Sequence, residues 1–178
     1  MKAGSTQLKQ DRWYEEVQTQ FGAALRRLAR AYEADANFVD DLLQDIHLAV
    51  WRSFGSYNCR CSLRTWVYRV AHNTAASHVV RRTRLKRQAL VTLDEVDRIP
   101  DHQPLVSETA ARVDALDRLL ALIHQLDPLD RQIMVAYLEE MDASAIGDMT
   151  GLSPGAVATR IYRIKSILAL RFHQESGA

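Results

Sequence analysis

The stretch LDPLDRQIMVAYLEEMDASAIGDMTGLSPGAVATRIYRI, Leu126 to Ile164, decides the fold, because three helices and all their punctuation can be read from it. Asp127, Pro128 and Asp130 form a start signal: an N-cap, a proline whose fixed φ suits the first helical position, and an acid in the first turn. Ser153 and Pro154 repeat that logic, and between them Asp142 caps a short helix that ends near Gly151. The spacing therefore predicts helices over Leu129–Glu140, Ala143–Thr150 and Pro154–Phe172. A mid-helix glycine costs about 1 kcal/mol against alanine, so Gly147 implies a close approach of two segments; Gly151 supplies the turn, and Val157 packs back from the last helix. This is a helix-turn-helix. On the last helix Val157, Ile161, Ile164 and Leu168 form an apolar stripe. Thr159, Tyr162, Arg163 and Ser166 point the other way, with Ala158, Arg160 and Lys165 beside them. Such a face suits a DNA major groove, where arginine reads guanine and threonine or tyrosine touches phosphate or a thymine methyl.

Outward from this stretch the chain stays helical. Only four prolines and seven glycines occur in 178 residues, and apolar residues recur at helical spacing nearly everywhere, so the fold class is all-α. From about Gln88 to Glu108 no period is sustained, and Pro100 and Pro104 fall there. This reads as a linker, 88–111, between two small helical domains, 12–87 and 112–174.

Two N-terminal helices carry informative faces. Over Phe38–Phe54, residues Val39, Leu42, Leu43, Ile46, Val50 and Ser53 share one arc at 100° per residue. The opposite arc holds Asp41, Gln44, Asp45, Leu48 and Arg52, with Trp51 at its edge. A leucine and a tryptophan among carboxylates make an anchor with charge selection, which fits a basic protein partner. The next helix, Ser62–Arg87, is expected to bury Leu63, Trp66, Val67 and Val70. Arg64, Tyr68, Arg69 and His72 are expected to come off the core side, with Asn73 at the flank and the run Arg81, Arg82, Arg84, Lys86 and Arg87 beyond. A loop, Ser56–Cys61, precedes it and holds Tyr57. Cations interleaved with aromatics suit single-stranded nucleic acid, whose phosphates and unstacked bases they match.

The net charge of +1 conceals a sorting of charge along the chain. Between Asp45 and Asp94 there is no acid but nine basic residues; from Asp94 to Asp148 there are thirteen acids against four basic residues. Two basic islands thus flank an acidic middle, as two contacts with a polyanion require, with the acidic part solvating a connection or repelling the polyanion.

Several classes are excluded. No run approaches the length of a membrane span and the polar start lacks a signal-peptide core, so a cytoplasmic protein without a membrane partner is expected. Cys59 and Cys61, one residue apart, close too small a loop to staple a fold, and their spacing is not that of a zinc knuckle. No phosphate-binding glycine loop, nucleophile elbow or His-Glu zinc motif occurs, so neither an enzyme, a cofactor nor a metal site is expected.

The residues Asp40-Asp41-Leu42-Leu43-Gln44-Asp45, Val50-Trp51-Arg52-Ser53-Phe54 and Leu63-Arg64-Thr65-Trp66-Val67-Tyr68-Arg69-Val70-Ala71-His72-Asn73 closely resemble region 2 of extracytoplasmic-function sigma factors. Leu126-Asp127-Pro128-Leu129-Asp130-Arg131 and Gly155 to Arg163 are similar to their region 4. The resemblance implies that Asp41, Gln44, Asp45, Leu48 and Trp51 dock on the beta-prime clamp of core RNA polymerase. It implies that Tyr57, Arg60, Arg64, Trp66, Tyr68, Arg69, Asn73, Arg81 and Arg82 bind and melt the minus-10 element, Asn73 at a base. Thr159, Arg160, Tyr162, Arg163 and Lys165 would read the minus-35 element, with region 4 also docking on the beta flap. An anti-sigma factor is the inhibitor the family leads one to expect, the free chain being a monomer or bound 1:1 to it. The chain departs from the family pattern at Cys59 and Arg60, where glycine and an acid are usual, at Ser77 for a frequent aspartate, and at Ala158 for a frequent cation. Arg60 implies a shifted minus-10 preference. The rival reading is a stand-alone helix-turn-helix regulator that binds duplex DNA by itself, its N-terminal domain serving dimerisation or ligand sensing.

Overall fold

The computed structural model describes residues 3–90 and 108–176, with side chains over 10–85 and 115–172; most of the expected linker therefore lies outside the described residues. Seven helices and no strand occur among them: α1 (Ala3–Tyr32), α2 (Ala36–Ser53), α3 (Leu63–Leu90), α4 (Glu108–His124), α5 (Pro128–Leu138), α6 (Ala143–Thr150) and α7 (Pro154–Ser176). Among the described residues no helix is long and apolar enough to cross a membrane.

Helices α1, α2 and α3 pack as one bundle. Asp35 starts α2, its carboxylate accepting from the Asn37 N–H at 3.1 Å. As expected, Val39, Leu42, Leu43, Ile46 and Val50 of α2 are buried, facing Val17, Leu25 and Leu28 of α1. Helix α3 enters through Val67, Ala71 and Ala75, all fully buried; the two alanines allow close approach of backbones.

The expected stripe of α3 needs correction. Val67 is buried, but Leu63, Trp66 and Val70 are only half-buried, while Tyr68 and His72, expected off the core side, are 1% exposed. The cause is a second layer: α5 and α6 pack on the far side of α3, so its buried arc is wider than one apolar stripe. His72 Nδ1 lies 3.0 Å from the Tyr32 hydroxyl, and its Nε2 is buried with no partner among the described residues.

The C-terminal helices build a second core from Leu122, Ile123, Ile133, Met134, Ile146, Val157, Ile164 and Leu168, with Ile161 half-buried. The punctuation agrees closely with the sequence. Helix α5 starts at Pro128, although Asp127 makes no side-chain cap bond there. Asp142 accepts from the Ala145 N–H at 2.8 Å, Gly151 ends α6 at φ 77°, and Ser153 Oγ accepts from the Ala156 N–H at 3.3 Å. A Cβ on Gly147 would lie 2.6 Å from the Leu152 carbonyl oxygen, so the close approach is to the turn's backbone, which cannot yield as a flexible side chain would.

Gly147→Ala is therefore expected to destabilise the helix-turn-helix by about 1–3 kcal/mol in a denaturant melt, whereas Gly155→Ala, whose Cβ would meet open space, stays near wild type. Burial pushes the His72 imidazole down to about 3, against ~6.5 in an unfolded chain. Between those values the unfolded chain holds more protons, so this contribution is complete above the unfolded value and is lost as pH falls, by at most ~1.4 kcal/mol per pH unit. His47 and His124, both lowered by burial, act in the same direction. Stability should fall from pH 7 to 5.5, with a shallower slope in His72→Gln; an unchanged slope would contradict this assignment.

Candidate nucleic-acid and protein interfaces

Helix α2 buries one side and leaves Asp41, Gln44 and Leu48 exposed on the other, with Asp45 and Trp51 partly so. The spacing i, i+3, i+4, i+7 stacks the first four in one row. Leu48 is 43% exposed, an apolar side chain with carboxylates beside it. Trp51 is pinned: its Nε1–H donates to Asp11 of α1 at 3.0 Å. Asp11 sits forty residues earlier in the chain and no periodicity in the sequence singles it out. Asp45 accepts from Arg81 of α3 at 3.2 Å, an exposed pair that contributes little to stability.

The loop before α3 is held by aromatic packing. The Tyr57 ring lies 5.6 Å from Trp13, 6.2 Å from Phe54 and 5.3 Å from Trp66, and its hydroxyl donates to the Cys61 carbonyl at 3.0 Å. Trp66 is half-buried, its Nε1–H donating to Ser53 Oγ at 2.8 Å. Cys59 turns the chain at φ 58° and leaves Arg60 exposed. Beyond the loop, exposed Asn73 lines an open cavity of about 320 Å³ with Asp45, Thr74, Ser77, His78 and Arg81. Its wall offers amide, hydroxyl, imidazole and cation within one bowl, a polar set able to hydrogen-bond a base edge.

Other members of the predicted set are occupied. Arg82 pairs with buried Glu33 and stacks 4.0 Å from the Phe38 ring centre, so it ties α3 to the α1–α2 turn. Tyr68 is interior, not on the surface. Arg64 donates to the Glu139 carbonyl and Arg69 to the Asp148 carbonyl at 2.5 Å, both across to the second domain.

On α7, Thr159, Tyr162, Arg163 and Lys165 are exposed as expected, Tyr162 at 76%. Thr159 Oγ donates back to the Gly155 carbonyl at 2.9 Å. Arg163 meets the buried Asp130 carboxylate at 3.0 Å, and Arg160, half-buried, pairs with its other oxygen. Lys165 lies 5.4 Å from the Tyr137 ring centre. The sequence marks Asp130 only as a helix-start acid; in the structure it also aims two arginines of the recognition face.

Sequence reasoning missed Glu139, whose carboxylate is 10% exposed. Arg27 of α1 grips it through Nε at 2.6 Å and Nη2 at 2.7 Å, and the Tyr68 hydroxyl donates to it at 3.3 Å. The Glu139 hydrogen bond raises the Arg27 guanidinium above its usual range, and burial, with Glu139 adding, pushes the Tyr68 phenol up to about 12. Nearby, Arg30 meets Asp117 at 3.3 Å and the His124 Nε2–H donates to the Arg30 carbonyl at 2.9 Å. The signal available was the charge sorting itself, read as two contacts on an outside polyanion when part of it is complementarity within the chain.

Residues 18–85 match the family model for Sigma-70 region 2, and residues 116–168 that for Sigma-70, region 4. The chain is 27% identical over 140 residues to the RNA polymerase sigma-H factor of Pseudomonas aeruginosa, covering 75% of this chain and 72% of that one. It is 28% identical over 148 residues to the ECF RNA polymerase sigma factor SigM of Mycobacterium tuberculosis, covering 82% and 69%. Two solved structures share the fold: CnrH in complex with the cytosolic domain of CnrY, at TM-score 0.66 and 22% identity over 97% of this chain and 95% of that one, and the sigma factor RpoE in complex with the anti-sigma factor NepR from Bartonella quintana, at TM-score 0.66 and 17% identity over 87% and 93%.

Proposed function

The chain belongs to the sigma-70 family, among the extracytoplasmic-function sigma factors of RNA polymerase, and from that premise we propose how its faces divide the work of starting transcription. The α2 row of Asp41, Gln44, Asp45 and Leu48, with Trp51 at its end, docks on a basic surface of core polymerase, the beta-prime clamp. Leucine and tryptophan supply desolvated contact while the carboxylates select charge and speed encounter. The loop with Tyr57 and Arg60, the Asn73 bowl and Arg81 engage the minus-10 element as it melts, joined by Arg64 and Arg69 when that face is free. The α7 face reads the minus-35 element as duplex, with Thr159 and Tyr162 on backbone or methyl groups and Arg160, Arg163 and Lys165 as cations. Region 4 also meets the beta flap.

Bond-making belongs to the polymerase, and the chain supplies position and specificity in the cytoplasm, where the polymerase works. An anti-sigma factor is the partner that holds it inactive, in a 1:1 complex; two solved proteins of this fold were captured in complex with CnrY and NepR. The observation that carries the reading is the pair of opposed faces on separate domains, acidic and apolar on α2 and cationic on α7.

Leu48 is exposed, so Leu48→Glu should change stability by less than ~0.5 kcal/mol yet weaken co-elution with core polymerase about tenfold, the cost of one lost anchor. Asp45→Arg should abolish it. Unchanged core binding by both would refute the α2 assignment, and tight specific duplex binding by the free chain would favour a stand-alone regulator instead. Arg163→Ala should leave core binding intact and relax discrimination at one minus-35 position by about 1–3 kcal/mol.

A further inference from the structure

We propose that Glu139 latches the C-terminal domain over the nucleic-acid face of α3, so that in the free chain the domain's α5–α6 edge occupies the site that single-stranded DNA must take. The inference rests on the reading of α3 as a promoter face and goes beyond it by naming what covers that face. The contact is built from oxygen acceptors on cations. The Glu139 carboxylate takes both N–H groups of the Arg27 fork and the Tyr68 hydroxyl, its carbonyl takes Arg64, and the Asp148 carbonyl takes Arg69. Phosphate oxygens would present the same chemistry to the same three arginines, so closure and nucleic acid compete for one set of donors. Charge complementarity selects the occupant: the acidic stretch Asp94–Asp148 contributes Glu139 and Asp117, and the cations they meet lie on α1 and α3. The covalent connection between Leu90 and Glu108 keeps the two domains at high effective concentration, so modest contacts suffice to close them.

A second observation shows why the latch can open. The Nε groups of Arg64 and Arg69 are buried and unpartnered among the described residues. Closure therefore desolvates two guanidiniums and satisfies each only in part, a cost that is relieved when the face is bared or filled by phosphates. Arg27, at 62% side-chain exposure, keeps its solvation. The latch thus combines one well-formed fork with two incompletely satisfied cations, an arrangement whose net free energy is small enough for polymerase docking to overturn.

The test uses the full chain. Glu139→Ala removes the latch, and Glu140→Asn removes the same charge one residue away, where exposed Glu140 sits at φ 59°, a conformation that asparagine tolerates. Binding of each to a random-sequence single-stranded oligonucleotide is followed by fluorescence anisotropy, and domain separation by small-angle scattering. Glu139→Ala should bind about tenfold tighter than wild type and show a larger radius of gyration, while Glu140→Asn matches wild type in both. Equal affinity and size for Glu139→Ala and wild type, with helical circular dichroism intact in both, would overturn the latch. A transcription assay with core polymerase separates this outcome from failure of the promoter reading: an active holoenzyme with unchanged free-chain affinity sinks the latch alone, whereas an inactive one sinks the promoter reading while scattering still reports on closure.

Discussion

Helix α3 has to be buried and cationic at once, and the rest of the molecule is arranged around that constraint. One side inserts Val67, Ala71 and Ala75 against α1 and α2, and the apolar contact there holds the bundle together. The other side carries Arg64 and Arg69, which no apolar core could accept unpaired. Acceptors from a second domain solve the problem in one arrangement, and water or phosphates solve it in another. The α2 row depends on the same packing, because burying Val39, Leu42, Ile46 and Val50 is what turns Asp41, Gln44 and Leu48 outward.

Local chemistry was legible wherever a few neighbouring residues decide the outcome. The bounds of α6 follow from Asp142 and Gly151 alone, since a side-chain cap and a left-handed C-cap act within one turn. The α7 stripe and the exposure of Thr159, Tyr162 and Arg163 follow from the 3.6-residue period. The resemblance to sigma region 2 and region 4, drawn from Asp40–Asn73 and Leu126–Arg163, agrees with the matched spans 18–85 and 116–168.

What stayed hidden was set by partners far away in the chain. Tyr68 and His72 read as surface residues because their spacing departs from the apolar stripe; they are buried because Phe21, Tyr32 and Glu139 reach them from two other elements. Arg82 looked like one more member of a basic run, yet Glu33 at the end of α1 and Phe38 at the start of α2 claim it. Glu139 ends α5 as an ordinary polar residue would, and only the packing of that end onto α3 gives it four donors. In each case a periodic pattern gives the face, while a single long-range contact decides what the residue does.

Hydrogen–deuterium exchange of the chain, alone and bound to core polymerase, tests the division of labour most directly. The account predicts slower exchange over residues 41–51 on α2 and faster exchange over 138–150 at the α5–α6 edge on binding core, as one face docks and the other is released. Unchanged exchange over 41–51, with the complex demonstrably formed, would contradict it.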